Sequence, residues 1–279
     1  ERFLKYLLST STQIHTEYKK EINMQLNFLV IGDICVDRFV YGHSKRLSPE
    51  APVPVFTPTE TKENGGMAEN EYNNLRSLII ADKENHCVDS IFSESTANKI
   101  RYVDTKTNHY FLRVDEDKNI PKFELSEDNR NKIRKADCII ISDYDKGFLT
   151  ISDIELIFMS KKREAKIFLD TKKDIPEQLF RVVNYLKLNE KEYNSISEIN
   201  RINYQHKIIA TLGENGACHN RVYFQVKSPK NTIDVSGAGD TFMAALCYHY
   251  MMSDNMGQSI IFANEKASEV VSKRGVAIV

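Results

Sequence analysis

IDVSGAGDTFMAAL spans Ile233 to Leu246. Two glycines flank an alanine, an aspartate follows, and apolar residues then begin at helical spacing. Gly237 and Gly239 carry no Cβ, so the backbone there can approach a ligand with its N–H groups outward. The first turn of the helix that follows has unpaired N–H donors and partial positive charge. Together they make an anion site suited to phosphate oxygens. Asp240 stands at the edge of that site. A helix start favours negative charge, so this carboxylate is expected to stay ionised and to be a weak base. Phosphoryl transfer through a loose transition state asks for little more than a carboxylate that orients the hydroxyl and accepts its proton. Phe242, Met243, Ala245 and Leu246 are expected to pin the helix to the core. On spacing alone the same residues also read as a tight turn with Asp240 as an ordinary N-cap. They are not a Walker A loop, because no Gly-Lys-Ser/Thr follows. They are not a Rossmann fingerprint, because no G-x-G-x-x-G follows the first strand.

Upstream, short apolar runs alternate with helical patterns. NFLVIGD (27–33), DCIIISD (137–143), KIFLD (166–170), VVNYLKL (182–188) and HKIIATLG (206–213) read as buried strands. HYFLRVD (109–115) and RVYFQVK (221–227) read as further strands, the second near an edge. MAENEYNNLRSLII (67–80), Ser126–Lys135, TISDIELIFMSKK (150–162), Ala238–Met251 and Met256–Lys273 read as helices. This alternation predicts a mostly parallel sheet covered by helices on both faces. Ligands in such sheets bind outside the carboxyl ends of the strands. Asp33, Asp143, Asp170, Asn189 and Gly213 stand at such ends.

Four of the seven prolines, Pro49, Pro52, Pro54 and Pro58, crowd one segment. Proline cannot donate to a central ladder, so the segment should be edge strand or extended loop. Phe39, Tyr41, Val53 and Val55 suit a short peripheral sheet, a lid over about 38–63. Residues 1–26 read as an appended helix with Phe3, Leu4, Leu7 and Leu8 on one face, ahead of one domain over 27–279. The net charge of −1 gives no field toward nucleic acid or anionic lipid. No apolar run reaches the ~18 residues of a membrane span. The five cysteines form no C-x-x-C pair, which suits reduced thiols and a cytoplasmic protein. The seven histidines offer no zinc-ligand pair.

DVSGAGDTF resembles the signature of the ribokinase-like (PfkB) sugar kinases, Asp-x-Ser/Thr-Gly-Ala-Gly-Asp. VIGDICVDRFVYGHSKRLSPEAPVPVF (30–56) resembles the heptose 7-phosphate kinase branch of that family, and GGMAENEYNNLRSL (65–78) its Gly-Gly loop and helix. HYFLRVD, ISDYDKG (141–147) and FLDTKKD (168–174) match three further blocks. LKLNEKEY (186–193) carries its Asn-x-x-Glu, and ATLGENGA (210–217) its nucleotide-binding Thr-x-Gly-x-x-Gly. The resemblance implies a three-layer α/β/α fold with a small β lid. It further implies ATP-dependent phosphorylation of the O1 hydroxyl of D-glycero-β-D-manno-heptose 7-phosphate, a step toward ADP-heptose and lipopolysaccharide.

By the same resemblance Asp240 is the base, and the amides of Gly237, Ala238 and Gly239 hold the migrating phosphoryl group. Asn189 and Glu192 would organise Mg²⁺ and its waters. Thr211, Gly213 and Gly216 would line the nucleotide site, with Asn264 beside the adenine. Asp234 lies by a loop whose carbonyls would hold K⁺. Asp37, Gly65, Gly66 and Asn70 match the sugar-hydroxyl positions, with Asp33 a weaker candidate. Arg113 and Lys172 are candidates for the sugar phosphate, with Lys146 and, less so, Arg46 as further cations. A homodimer through the lid is implied as well.

The chain also departs from the family pattern. Glu69 replaces a glycine or alanine, and its charge would repel a sugar phosphate unless it turns away. Too few residues separate Leu78 from Arg101 for the strands and helix the family has there. Leu188 stands for the usual proline. No H-x-G-H of a nucleotidyltransferase occurs, so a single catalytic step is expected. These departures keep open a kinase for another sugar or sugar phosphate, and a non-catalytic sugar- or nucleotide-binding relative.

Overall fold

The computed structural model describes residues 25–93, 97–116, 120–227, 232–273 and 275–279. The appended helix expected at the N-terminus therefore lies, but for residues 25 and 26, outside the described residues.

The main sheet follows from the apolar runs. β1 (Asn27–Gly32), β4 (Cys87–Phe92), β7 (Cys138–Asp143), β8 (Lys166–Thr171), β9 (Tyr185–Asn189) and β10 (Ile208–Thr211) pair in parallel. β11 (Ala217–His219) and β12 (Val222–Phe224) extend one edge antiparallel, giving the order β12-β11-β10-β9-β8-β7-β1-β4. Strand side chains alternate between faces, and here both faces are buried. Phe28, Val30, Ile140 and Phe168 enter one core, where they join Leu75, Met243, Leu246 and Ile260. Leu29, Ile31, Ile139, Ile141 and Ile167 enter the other, with Ile133, Ile154, Ile157 and Leu179. The first face carries α1 (Ala68–Ala81), α7 (Ala238–Ser253) and α8 (Met256–Val271). The second carries α2 (Glu127–Lys135), α3 (Ile151–Ser160) and α4 (Glu177–Val182). These are the three layers that the alternation foretold.

Local chemistry sets the helix starts. Ser126 accepts from Asn129 N, and Thr150 and Asp153 form a reciprocal capping box. The expected strand at 182–188 begins only at Tyr185. Leu179 and Phe180 are buried as helix residues, and the Asn184 side-chain Oδ1 accepts from Ile167 N at 2.8 Å at the crossover. The six-residue helices α5 (Glu190–Ser195) and α6 (Glu198–Asn203) are too short to show a periodic pattern.

The proline-rich segment is longer and more regular than expected. β2 (Ile34–Leu47) and β3 (Pro54–Met67) are 14-residue partners in a hairpin. Pro54 opens β3, and Pro58 sits opposite Gly42 where the register shifts at a bulge. β3 is an edge strand, so neither proline costs a central hydrogen bond. β5 (Ala97–Asp104) runs parallel to β2, and β6 (Tyr110–Glu116) completes the order β3-β2-β5-β6. The short stretch after Leu78 now has a shape. One strand, β4, closes the main sheet at Phe92, and β5 opens in the lid sheet at Ala97. Few residues thus link the main sheet to the lid sheet. Asp33 alone separates β1 from β2, so the second sheet springs from the carboxyl edge of the first.

Candidate active site

The parallel register brings the strand ends together. Gly32 pairs with Ser142, Ser142 with Asp170, Asp170 with Lys187, and Asn189 with Thr211. The N-terminus of α7 opens onto this edge. Its N-cap, Gly237, has φ 78° and no side-chain cap. That left-handed conformation suits glycine, and a Cβ would stand 2.7 Å from Asn70 Nδ2. The Ala238 amide turns back on Val235 O at 3.3 Å, so the exposed donors narrow to Gly237 and Gly239. Lys187 Nζ lies beneath this turn, 3.4 Å from where a Cβ on Gly239 would be.

Asp240 is buried in the first turn of α7. Tyr144 donates its hydroxyl to Oδ1 at 2.5 Å, and Asn70 donates to Oδ2 at 2.9 Å. Burial pushes the carboxyl above the ordinary aspartate value, against the two hydrogen bonds and the Lys187 ammonium. The helix start alone pointed to an ordinary weak base; desolvation makes this a stronger one. Asp240 is no N-cap.

Three cavities meet here. The first, about 220 Å³, is mostly apolar and lined by Thr211, Gly213, Gly216, Val235, Phe242 and Asn264 among others. The second, about 500 Å³, is polar and includes Asp170, Lys172, Lys187, Asn189 and Thr211. The third, about 370 Å³, lies under the lid sheet with Asp37, Lys99, Arg101, Arg113, Asp115 and Lys146 among others, Arg113 donating twice to Asp115 at 2.8 Å. Gly239 borders the first and second, while Tyr144, Gly237 and Asp240 border the second and third. Two ammonium groups approach the Tyr144 ring, Lys99 at 5.0 Å and Lys172 at 5.5 Å from its centroid.

The expected residues divide among these cavities. Asn264 donates to Phe224 O at 2.8 Å on the apolar side. Asn189 caps α5: its Oδ1 accepts from Glu192 N at 2.9 Å, and Glu192 Oε2 accepts from Asn189 N at 2.8 Å. Glu192 Oε1 takes Lys172 Nζ at 2.6 Å, and Lys172 lies 3.5 Å from Asp170. Burial works against the Lys172 charge, but Asp170 and Glu192 outweigh it and hold its pKa above the ordinary lysine value. Lys172 therefore belongs to the polar cavity and not, like Arg113, to the one under the lid. Asp37 is buried and ion-paired with Arg101. Gly66 leaves room for it, since a Cβ there would stand 2.2 Å from Asp37 Oδ2. Glu69 folds back over Gly65, its Cδ 2.3 Å from where a Cβ would be, and is not among the residues lining the cationic cavity. The Asp234 carboxylate accepts from Ser236 N at 2.9 Å and Gly275 N at 3.2 Å, which fixes the loop before α7. Asp33 takes Tyr144 N at 2.8 Å and so holds the Tyr144 turn.

Several groups escaped the sequence reading: Tyr144, Lys187, Asp170 as an ion-pair partner, Lys99, Arg101 and Glu71. One signal was visible. Lys187 sits between two leucines in an apolar strand, where a lysine needs a buried counter-charge.

A lid sheet over the carboxyl edge of a parallel sheet, with a buried aspartate at an open helix start, defines the ribokinase-like class of kinases. Comparison with known proteins gives the family. Residues 84–279 match the model for the pfkB family of carbohydrate kinases. The chain belongs to that family. It is 29% identical over 300 residues to the bifunctional protein HldE of Bradyrhizobium diazoefficiens, covering 90% of this chain and 60% of that protein. It is 31% identical over 297 residues to HldE of Helicobacter pylori, covering 90% and 64%. The chain thus spans about 60% of the length of these curated relatives. Arabidopsis thaliana ribokinase, solved with ribose and ATP, superposes with a TM-score of 0.63 at 16% identity, over 90% of this chain and 94% of that one. Thermotoga maritima ribokinase gives 0.63 at 16%, over 91% and 95%. The fold is ribokinase-like and the protein is a sugar kinase. No helix among the described residues is long and apolar enough to cross a membrane.

Proposed function

We propose that this kinase transfers the γ-phosphoryl group of ATP to the O1 hydroxyl of D-glycero-β-D-manno-heptose 7-phosphate. One observation carries the reading. The cavity under the lid holds Lys99, Arg101, Arg113 and Lys146 and shares Asp240 with the polar cavity. A substrate reaching Asp240 with one hydroxyl and the cations with a distal phosphate fits that layout. The HldE relatives and the Ser48–Pro54 stretch support the heptose.

In the proposed reaction the apolar cavity takes the adenosine, with Thr211, Gly213, Gly216 and Asn264 along its wall. The Gly237 and Gly239 amides and the Lys187 ammonium meet the transferring phosphoryl oxygens. Asp240 orients the sugar hydroxyl and takes its proton as the oxygen bonds to the γ-phosphorus. The bond from that phosphorus to the β,γ-bridging oxygen breaks, and ADP leaves. Asp37, Gly65, Gly66 and Asn70 surround the sugar hydroxyls.

Kinases of this class use ATP with Mg²⁺, and the donor set suits that ion. A carboxylate has about four acceptor sites. Glu192 spends two, on Asn189 N and Lys172, and so can hold an ion through its waters. Bound there, Mg²⁺ would neutralise charge on the ATP phosphates. The Asp234 carboxylate fixes the loop by accepting from Ser236 N and Gly275 N, and a K⁺ ion would be held by the carbonyls of that loop.

The test is ADP release with Mg-ATP over heptose 7-phosphate, unphosphorylated heptose, hexoses and pentoses. Turnover should be highest on heptose 7-phosphate. Arg113→Ala together with Lys146→Ala should raise KM for it by roughly 10–100-fold, the worth of one or two charged hydrogen bonds, and spare KM for ATP. Equal turnover on unphosphorylated sugars would sink the distal-phosphate reading. The short connection from β4 to β5 favours a second reading, a different phosphorylated sugar, which the same panel separates. Gly66→Ala should push Asp37 off its place. With Arg101 fixing the carboxylate, KM for the sugar should rise by roughly 10–100-fold, as small misplacements do. An unchanged KM would remove Asp37 from the sugar site.

A further inference from the structure

Glu71 is wholly buried on α1, although nothing in the proposed reaction uses it. Ser142 Oγ donates to its Oε1 at 3.1 Å. Its Oε2 is buried and has no partner among the described residues. One carboxyl oxygen from each of Glu71, Asp170 and Asp240 lies within 4.8 Å of the other two. Charged and titratable groups face Glu71 from the neighbouring elements: Asp170 on β8, Lys187 on β9, Asp240 and Cys247 on α7, and Tyr144 after β7. Burial keeps the Cys247 thiol and the Tyr144 phenol neutral.

Three buried acids thus face one buried ammonium, and Lys187 is already in contact with Asp170. Buried carboxylates this close cannot all ionise. A proton must reside on one of them, and the contacts decide which. Asp170 is paired with Lys187 and Lys172. Asp240 receives two donors, Tyr144 and Asn70. Glu71 receives one donor and keeps an orphan oxygen, so it is the acid least supported as an anion.

We propose that Glu71 is a positioning residue for Asp240: a neutral carboxylic acid that forms with it a dyad holding one proton at rest. The proposal rests on Asp240 being the base. At rest Asp240 is ionised beside a neutral Glu71. On transfer the sugar proton moves to Asp240, and the dyad holds two protons and no charge. One proton then leaves to solvent and the dyad is restored. Deep burial pushes the Glu71 carboxyl well above the ordinary glutamate value, with Asp240 and Asp170 adding to the effect. Its ionisation at high pH would place a second negative charge beside Asp240 and the phosphoryl oxygens, and turnover should fall there.

The test compares kcat against pH, thermal unfolding against pH, and the infrared carbonyl band in wild type, Glu71→Gln and Glu71→Asp. Glu71→Gln keeps the neutral shape, so its kcat near neutral pH should fall by less than about tenfold, the worth of one hydrogen bond. Its alkaline limb should vanish, while Glu71→Asp keeps one. A folded value above the unfolded value means that wild-type stability is fully present below the unfolded value. That stability is lost as pH rises through the folded value. The Tm of Glu71→Gln relative to wild type should therefore climb with pH. Wild type at neutral pH should show a protonated-carboxyl band that Glu71→Gln lacks. Superimposable pH profiles, or no such band, overturn the dyad. Retained activity in Asp240→Asn overturns instead the base assignment beneath it, and the two failures are distinct.

Discussion

Asp240→Asn is expected to lower kcat by roughly 10²–10⁴, the range for losing a positioned base, with nucleotide affinity almost unchanged. The amide matches the carboxylate in shape but cannot accept the sugar proton. It also offers one acceptor oxygen where Tyr144 and Asn70 both donate, so one of those contacts must reverse or break. Nucleotide affinity should hold because Asp240 does not line the apolar cavity, whose wall runs from Thr211 through Gly239 to Asn264. Steady-state kinetics and calorimetric titration of a non-hydrolysable nucleotide measure the two quantities separately. A kcat within tenfold of wild type would reassign the base. The pH dependence adds a second check. The base works ionised, and burial places Asp240 above the ordinary aspartate value. Wild-type kcat/KM should thus decline on the acid side through that raised value, and the variant's residual rate should lose this acid limb.

Much of this was legible in the chain, for identifiable reasons. Buried parallel strands need apolar side chains on both faces, so NFLVIG and CIIIS announced themselves. Helix starts such as Ser126 and Thr150 were marked by capping chemistry. The glycines around Ala238 marked the start of α7, where Gly237 takes a left-handed conformation at φ 78°. What escaped was non-local. The long β2–β3 hairpin exists because β5, which begins at Ala97 well beyond the end of β2 at Leu47, pairs alongside it, and no local pattern encodes that partner. Tyr144 reaches Asp240 across 96 residues of chain, and Asn70 across 170. Lys172 and Arg113 were read as equals because both are cations near strand ends. The fold separates them, since Lys172 leaves the main sheet beside Glu192 while Arg113 rides on the lid sheet.

The buried ion pair between Lys187 and Asp170 holds these groups in register, and Lys187→Met tests it. Methionine keeps the unbranched stem within β9 but removes the ammonium. Asp170 would then be left at 1% side-chain exposure with only Lys172, 3.5 Å away, as a cation. Removing one partner of a buried pair costs about 3–5 kcal/mol, because the orphaned charge has lost its water as well as its counter-ion. For a chain of this size that is a fall in Tm of roughly 5–15 °C. Activity should fall too, since the polar cavity loses a cation beneath Gly239. Asp170→Asn in the same chain should recover part of the stability by removing the orphan charge, and a double-mutant cycle measures the coupling. Acid should act the same way. In wild type burial raises the Asp170 carboxyl, but Lys187 and Lys172 outweigh it and hold it below the ordinary value. Its stabilisation is therefore present above the unfolded value of about 3.9 and is lost as pH falls through the lower folded one. Without Lys187 the sign reverses. Burial then dominates, the folded value rises above the unfolded one, and protonating Asp170 relieves the variant. The gap in Tm between wild type and Lys187→Met should accordingly narrow as pH is lowered. A gap that widened, or a Tm within 2 °C of wild type, would mean that the lysine is not the counter-charge on which Asp170 depends.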